Sequence, residues 1–464
     1  MASRILLVVY DNGSFIHAFP MGAAYIAATL REKGHEVTIY NQDVYHYPDE
    51  HLTTFLDENP FDVIGIGVIG GYYQYRKLLK LSEAVNRSRN RPYFVLGGHG
   101  PSPDPQYFLR KTGADAVVMG EGEITTVELV AALENKTPLA DVSGLTFRDG
   151  DKFITTPARL LINDLETIPW PARDLFPVEY YRLIRMPHAT AQDFTLPVLS
   201  GRGCTFRCTF CYRMDTGHRA RAHEPILDEI EYLQKRWSIT YIDFMDELLM
   251  TSKQRTIEFC EAILHRNLKF KWFCNGRLNY ATPEVLDIMK RAGCVFINYG
   301  IESVDNTVLK NMQKALRYEQ IIPGIENTLK SGISPGLNII YGNIGDNRET
   351  LKKSVEFLLK YDDQAQVRTI RPVTPYPGSP LYDEAVRRGM IKDCEDFYEV
   401  KHSNSDLLTV NFTELSDDEF YDALLEANNI LIRNSFQKGM ENTLQTAHRL
   451  YKERDATFRG FRPI

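Results

Sequence analysis

The sequence predicts an α/β protein in three consecutive parts: a doubly wound, Rossmann-like parallel sheet, a second strand–helix array, and a helical C-terminal region. Three observations carry this. Short apolar runs bounded by Gly, Pro or Asp alternate with helical periodicities through the first 150 residues, the pattern of buried parallel strands joined by helices. The alternation resumes after residue 194 with six further strand candidates,. Beyond residue 381 polar helical spacing takes over,.

In the first part the strand candidates are Ile5–Val9, Val37–Tyr40, Val63–Val68, Tyr93–Leu96 and Ala116–Met119, and Met21–Lys33 reads as a helix closed by Gly34,. Ligands of such sheets bind at the carboxyl ends of the strands. Those ends carry Asn12-Gly13-Ser14, Gly70-Gly71, Gly97-Gly98-His99 and Gly120-Glu121-Gly122-Glu123. Glycines there let the backbone approach a large flat ligand, and simple turn formation is the competing reading.

A connector spans 151–194. Its prolines (157, 169, 171, 177 and 187) and aromatic residues Trp170 and Phe176 mark an ordered strap,, expected to pack between the first two parts. Over 195–381 the strand candidates end at Leu199, Phe244, Phe273, Tyr299, Tyr341 and Ile370, and polar residues follow them: Asp246 and Glu247, Asn275 and Arg277, then Gly300-Ile301-Glu302-Ser303. Active sites of barrel-like arrays collect at these strand ends. The last part, 382–464, has apolar spacing at Phe420, Leu424, Leu425, Asn428, Ile430 and Leu431. It reads as a packed helical cap with no chemistry assigned.

The chain has 464 residues, 43% hydrophobic and 25% charged, with a net charge of −7, so it holds ample cores and no nucleic-acid footprint. The N-terminal apolar run is too short for a signal peptide, and no apolar stretch approaches the length of a membrane span,. A cytoplasmic protein is expected.

All seven cysteines lie at or after position 204. Cys260, Cys274, Cys294 and Cys394 stand singly and read as core thiols. The other three, Cys204, Cys208 and Cys211, have C-x3-C-x2-C spacing among Gly, Arg and Thr, between a strand-like and a helix-like run. Each thiolate can ligate one iron of a cubane, and since a full ligand set is four, one iron stays open. Ordinary packing, or zinc with His218 or His223 as fourth ligand, are the alternatives.

Cys-Thr-Phe-Arg-Cys-Thr-Phe-Cys resembles the signature loop of radical S-adenosylmethionine (SAM) enzymes. The resemblance implies a 4Fe–4S cluster on Cys204, Cys208 and Cys211, with SAM chelating the open iron and being cleaved to a 5′-deoxyadenosyl radical. It implies a partial (β/α)6 barrel, in which Tyr-Ile-Asp-Phe-Met-Asp-Glu-Leu is similar to the family's Phe-x-Asp-Asp-x-Phe segment. It places Phe210, Tyr212, Glu247, Arg277, Gly300, Glu302 and Asn338 at SAM, with Phe210 and Tyr212 flanking the adenine, Arg277 near the carboxylate and Glu302 at the amino group or ribose. A structural Arg277–Glu302 ion pair is the bland alternative.

Gly97-Gly98-His99-Gly100-Pro101-Ser102 followed by Met119-Gly120-Glu121-Gly122-Glu123 is similar to the cobalamin-binding domain that precedes the barrel in a large subgroup. The Thr374-Pro-Tyr-Pro-Gly-Ser-Pro-Leu-Tyr382 run matches that subgroup's barrel terminator, whereas Gly345-Asp346-Asn347-Arg348 departs from its usual Pro-Gly turn. The resemblance therefore implies cobalamin held by Asn12, Gly13, Ser14, Gly70, Gly71, Gly97, Gly98, His99, Gly120, Glu121, Gly122 and Glu123. The Asp-x-His-x-x-Gly signature is missing near His17, which leaves the lower cobalt ligand open. The reaction implied is methylation of an unactivated carbon of a small molecule, with an external one-electron reductant such as flavodoxin or ferredoxin. Oxidative cyclisation or rearrangement, or a non-catalytic sensor, are the alternatives, and no catalytic residue is assigned.

Overall fold

The computed structural model describes residues 2–13, 18–214 and 217–461. The chain divides into two compact units, the first comprising 1–249, 265–271 and 374–410, the second 250–264, 272–373 and 411–464.

The first unit opens with a seven-stranded sheet of order β2-β1-β3-β4-β5-β6-β7. Its strands are β1 (Arg4–Val9), β2 (Glu36–Asn41), β3 (Val63–Gly67), β4 (Tyr93–Gly97), β5 (Ala116–Val118), β6 (Leu145–Asp149) and β7 (Lys152–Thr155). The first five are parallel, and β6 and β7 continue antiparallel. Helices Met21–Glu32 and Gly122–Asn135 bury Ala27, Leu30 and Leu129 against Ile5, Val63 and Val95. Gly34 ends the first helix at φ +87°, a conformation glycine adopts without steric cost. The β6–β7 hairpin was not anticipated, although its two-residue Gly150-Asp151 turn is a hairpin signal,.

The connector is ordered and lies within the first unit. Ala172 donates its N–H to Ala24 O at 3.0 Å. Arg173, fully buried, pairs with the equally buried Glu229 at 2.8 Å and donates to Pro197 O at 2.7 Å. Next come β8 (Thr195–Val198), an antiparallel ribbon of β9 (Gly201–Cys204) and β10 (Gly217–Ala220), and β11 (Tyr241–Phe244), which pairs parallel with β8. Segment 374–410 completes this unit: Glu399 accepts a hydrogen bond from Tyr75 and pairs with Arg76 at 3.1 Å and Lys111 at 2.8 Å.

The second unit holds β12 (Lys271–Gly276, whose first residue belongs to the other unit), β13 (Cys294–Glu302), β14 (Ser334–Tyr341) and β15 (Arg371–Pro372), paired in parallel in that order. Helix Asp417–Lys452 starts in a capping box of Ser416 and Glu419,. It stacks Phe420 on Tyr341 at 4.9 Å, and Asn428 bonds both backbone groups of Ile370 at 2.8 and 3.0 Å. β8 and β11 in the first unit and these four strands in the second correspond to the six strand candidates read from the sequence. Among the described residues no helix is long and apolar enough to cross a membrane.

Candidate active site

The cysteine loop grows out of β9 and is anchored by the segment after β11. Asp246 accepts from Ser200 N at 2.8 Å, Ser200 Oγ at 2.6 Å and Gly201 N at 2.9 Å. It is 1% exposed, and burial pushes its carboxyl up to about 6. Glu247, expected at SAM, accepts from Gly203 N at 3.0 Å, one residue before Cys204. These two carboxylates fix the backbone entering the loop.

Cys204 is half-buried, Cys208 buried and Cys211 exposed, and none is in a disulfide. Cys211 N donates to Cys208 O at 3.3 Å, and Leu381 N donates to Thr209 O at 2.8 Å, tying the loop to segment 374–410. Among the described residues no three His, Cys, Asp or Glu side chains form a group that could hold a single metal ion. Three thiols on one short loop are the donor set of a cubane with an open iron. His218 packs its imidazole edge against Gly201, where a Cβ would meet Nε2 at 2.7 Å.

Phe210 is half-buried on the same loop. Tyr212, expected to flank the adenine, directly follows Cys211. Its ring meets His99 edge-on at 5.8 Å, it hydrogen-bonds Ser102, and a Cβ on Gly378 would stand 2.6 Å from it. The aromatic residue beside the third cysteine is held by the N-terminal sheet's glycine-rich loop and the Pro-Gly378 turn.

In the second unit, three asparagines form a ladder across neighbouring strands. Asn338 Nδ2 donates to Asn298 Oδ1 at 2.7 Å, and Asn298 Nδ2 donates to Asn275 Oδ1 at 3.0 Å. Gly336 makes room, since a Cβ there would lie 2.5 Å from Asn298 Oδ1. Asn338 is exposed and so presents the ladder's end to solvent.

Past a bulge after Gly300, Glu302 sits at φ +69°, a left-handed conformation unusual for a residue with a side chain and often found where a site demands it. Its carboxylate pairs with Lys314 at 2.9 Å, both groups buried at 8% and 6% exposure. A Cβ on Gly300 would stand 2.5 Å from Glu302 Oε1 and 3.0 Å from Lys314 Nζ. Arg277 donates to Lys314 O at 2.7 Å and Ala315 O at 3.0 Å, so it braces the backbone that carries the lysine. Lys314, which the sequence analysis missed, is thus the base that meets Glu302. It lies in no motif, and no local spacing betrays it.

At the carboxyl ends of the N-terminal sheet, Ile69 is 63% exposed beside Gly70 and Gly71. Gly98 at φ +91° could carry no side chain, because its Cβ would fall 2.7 Å from Val68 O. A Cβ on Gly120, at φ +71°, would meet nothing within 4 Å. An exposed apolar residue ringed by side-chain-free backbone suits the face of a corrin. Asn12 is set by Asp43, which accepts its N–H at 3.1 Å, and by Gln74, which donates to its Oδ1 at 3.3 Å. Gly13 turns at φ +71° against Tyr73, and Gly122 packs on Ile26. Ser14, named for cobalamin, and His17 lie outside the described residues.

Glu121 and Glu123, expected at the corrin, pair through their carboxylates with Arg202 and Arg219 of the β9–β10 ribbon: Glu121 meets both arginines at 2.8 Å and Glu123 meets Arg202 at 2.5 Å. Two arginines directly opposite on a ribbon repel unless neutralised, and these acids neutralise them.

The radical SAM superfamily profile matches residues 198–358, and the B12 binding domain profile matches 16–130. An uncharacterized methyltransferase of Pyrococcus horikoshii is 30% identical over 400 residues, 84% of each chain. The chain belongs to the cobalamin-dependent radical SAM family. This enzyme uses a 4Fe–4S cluster, SAM and cobalamin. An anaerobic magnesium-protoporphyrin IX monomethyl ester cyclase of Rubrivivax gelatinosus is 28% identical over 393 residues, 82% of this chain and 68% of that one. Among solved structures, TsrM from Kitasatospora setae, a radical SAM methyltransferase with cobalamin and cluster bound, shares the fold at a TM-score of 0.68 and 18% identity, over 84% of this chain and 75% of that one. The cobalamin-dependent enzyme OxsB matches at 0.65 and 22% identity, over 84% of this chain and 56% of that one.

Proposed function

We propose that the enzyme methylates an unactivated carbon of a small-molecule substrate. The cluster with SAM supplies a carbon-centred radical, and cobalamin supplies the methyl group. The observation that carries the reading is one chain holding both the tri-cysteine loop and the glycine-lined sheet ends, with a named methyltransferase similar along 84% of its length.

The chain's own residues divide the work. Cys204, Cys208 and Cys211 hold three irons. Asp246 and Glu247 fix the backbone leading into that loop. Glu302, set by Lys314, and the Asn275–Asn298–Asn338 ladder offer charge and amide groups to the amino acid and ribose of SAM. Gly70, Gly71, Gly97, Gly98, His99 and Gly120 present backbone and a ring edge to the corrin. Flavodoxin or ferredoxin delivers the electron, nucleic acid is no partner of a chain with net charge −7, and the protein works in the cytoplasm.

The similarity to the cyclase along 82% of this chain favours one second reading, in which cobalamin supports oxidative ring closure. Products separate the two. Anaerobically reconstituted enzyme turning over substrate releases S-adenosylhomocysteine and 5′-deoxyadenosine in equal amounts if it methylates. Release of 5′-deoxyadenosine alone, with substrate consumed, would refute methylation.

A further inference from the structure

We propose that two glycine-rich loops of the N-terminal sheet, Gly98–Ser102 and Gly120–Glu123, clamp the cysteine loop from both sides. Glu121, Glu123 and Tyr212 are then positioning residues that couple the grip on the corrin to the ligation of iron. The inference rests on the assignment of cofactors and not on methyl transfer.

The first clamp follows from charge. The β9–β10 register sets Arg219 opposite Arg202 and Gly217 opposite Cys204. The arginine side chains are only 16% and 12% exposed, so their repulsion is weakly screened and the ribbon needs counter-charge to close. Glu121 bridges the two guanidinium groups, Glu123 takes the second nitrogen of Arg202, and Arg202 lies over the Tyr25 ring at 5.3 Å. Ile162 closes the circuit, donating its N–H to Glu121 at 2.9 Å and accepting from Arg219 at 2.7 Å. The ribbon that presents Cys204 is therefore neutral only when docked on the Gly120–Glu123 loop.

The second clamp follows from shape. Tyr212 adjoins Cys211, and its ring fills the space between His99, Ser102 and Gly378. Gly378 sits at φ +87°, a conformation a side chain resists, and any Cβ there would strike the tyrosine. Gly98 and Gly120, whose backbones face the corrin in the functional reading, lie within a few residues of these clamps. A change in the Gly120–Glu123 loop reaches the ribbon that presents Cys204, and a change in the Gly98–Ser102 loop reaches Tyr212 beside Cys211.

The test uses full-length protein, wild type, Glu121→Gln, and the charge-balanced pair Glu121→Gln with Arg219→Gln. Retained cobalamin, iron per chain, the SAM-induced change in the reduced-cluster paramagnetic resonance signal, and 5′-deoxyadenosine formation are read in each. Glu121→Gln should keep its cobalamin yet lose SAM cleavage by about tenfold, the scale of removing a group that orients metal ligands, with a weakened resonance change. The pair should recover most of both. Loss of cobalamin with an unaltered cluster, or a pair no better than the single change, would overturn the inference.

Amide hydrogen exchange of the wild type adds a measurement free of variants. Residues 201–214 and 217–220 should exchange more slowly with cobalamin loaded than without, and equal exchange would overturn the coupling. A wild type that cleaves SAM and couples normally but transfers no methyl would refute the functional reading and leave this one standing.

Discussion

Asp246 is the hinge pin of the cysteine loop, and its geometry sets how two substitutions should differ. Asp246→Ala strips the acceptor from two buried amides, Ser200 N and Gly201 N, and from the Ser200 hydroxyl. The hydroxyl can turn, but the amides cannot. At about 1–3 kcal/mol for each stranded buried donor, the loss is about 2–6 kcal/mol. Asp246→Asn keeps both amide bonds, because both use the same oxygen, Oδ1, and asks only that the Ser200 hydroxyl accept where it now donates. It also removes a buried charge whose cost is visible in the carboxyl's rise to about 6. The asparagine variant should thus stay within about 1 kcal/mol of wild type at pH 8. Denaturant unfolding followed by tryptophan fluorescence, with iron content after reconstitution, checks both. Asparagine proving as damaging as alanine would sink the account, since charge and not bonding would then hold the loop.

Asp243, buried on β11 beside Asp246, is pushed up to about 7 by burial and by that second charge. Its folded value lies above its unfolded one, so the folded protein keeps a proton the unfolded chain has released, and stability falls as pH rises between about 4 and 7. Asp243→Asn should therefore gain on wild type from pH 5 to pH 8.5, by about 2.7 kcal/mol. Parallel pH profiles of the two proteins would refute this. Gly378→Ala adds left-handed strain to a collision with the Tyr212 ring and should cost about 2 kcal/mol or more, read as a lower denaturant midpoint. Gly300→Ala should pry Lys314 from Glu302, losing about 3 kcal/mol or more if the pair breaks and weakening SAM binding measured by equilibrium dialysis. Unchanged binding would remove that pair from the SAM site.

Local pattern carried much of the fold. Strands β1 to β5 were visible as apolar runs because a parallel strand buried on both faces needs nothing else. The cysteine loop was visible because metal ligation fixes spacing. What escaped were charges that meet across long sequence separations. Glu121 finds Arg202 and Arg219, which lie 81 and 98 residues further on, so nothing in the Gly-Glu-Gly-Glu loop itself showed that its acids pair with the ribbon. Lys314 escaped although it lies only 12 residues past Glu302, because the helix Asn306–Asn311 intervenes and no periodicity places it. Tyr212 showed as an aromatic beside a cysteine, but which surface it faces depends on Gly378, contributed by chain far downstream.

The return of residues 374–410 to the first unit governs when that unit can finish forming during translation. Until the ribosome has passed this stretch, the nascent N-terminal sheet lacks Glu399, the acid that meets Tyr75, Arg76 and Lys111. A polypeptide released early, or a gene cut at the end of the sheet, leaves those side chains without it and the surface around Tyr75 uncovered. The unit that carries both the glycine-rich loops and the cysteine loop is therefore complete only once residues 374–410 have been made.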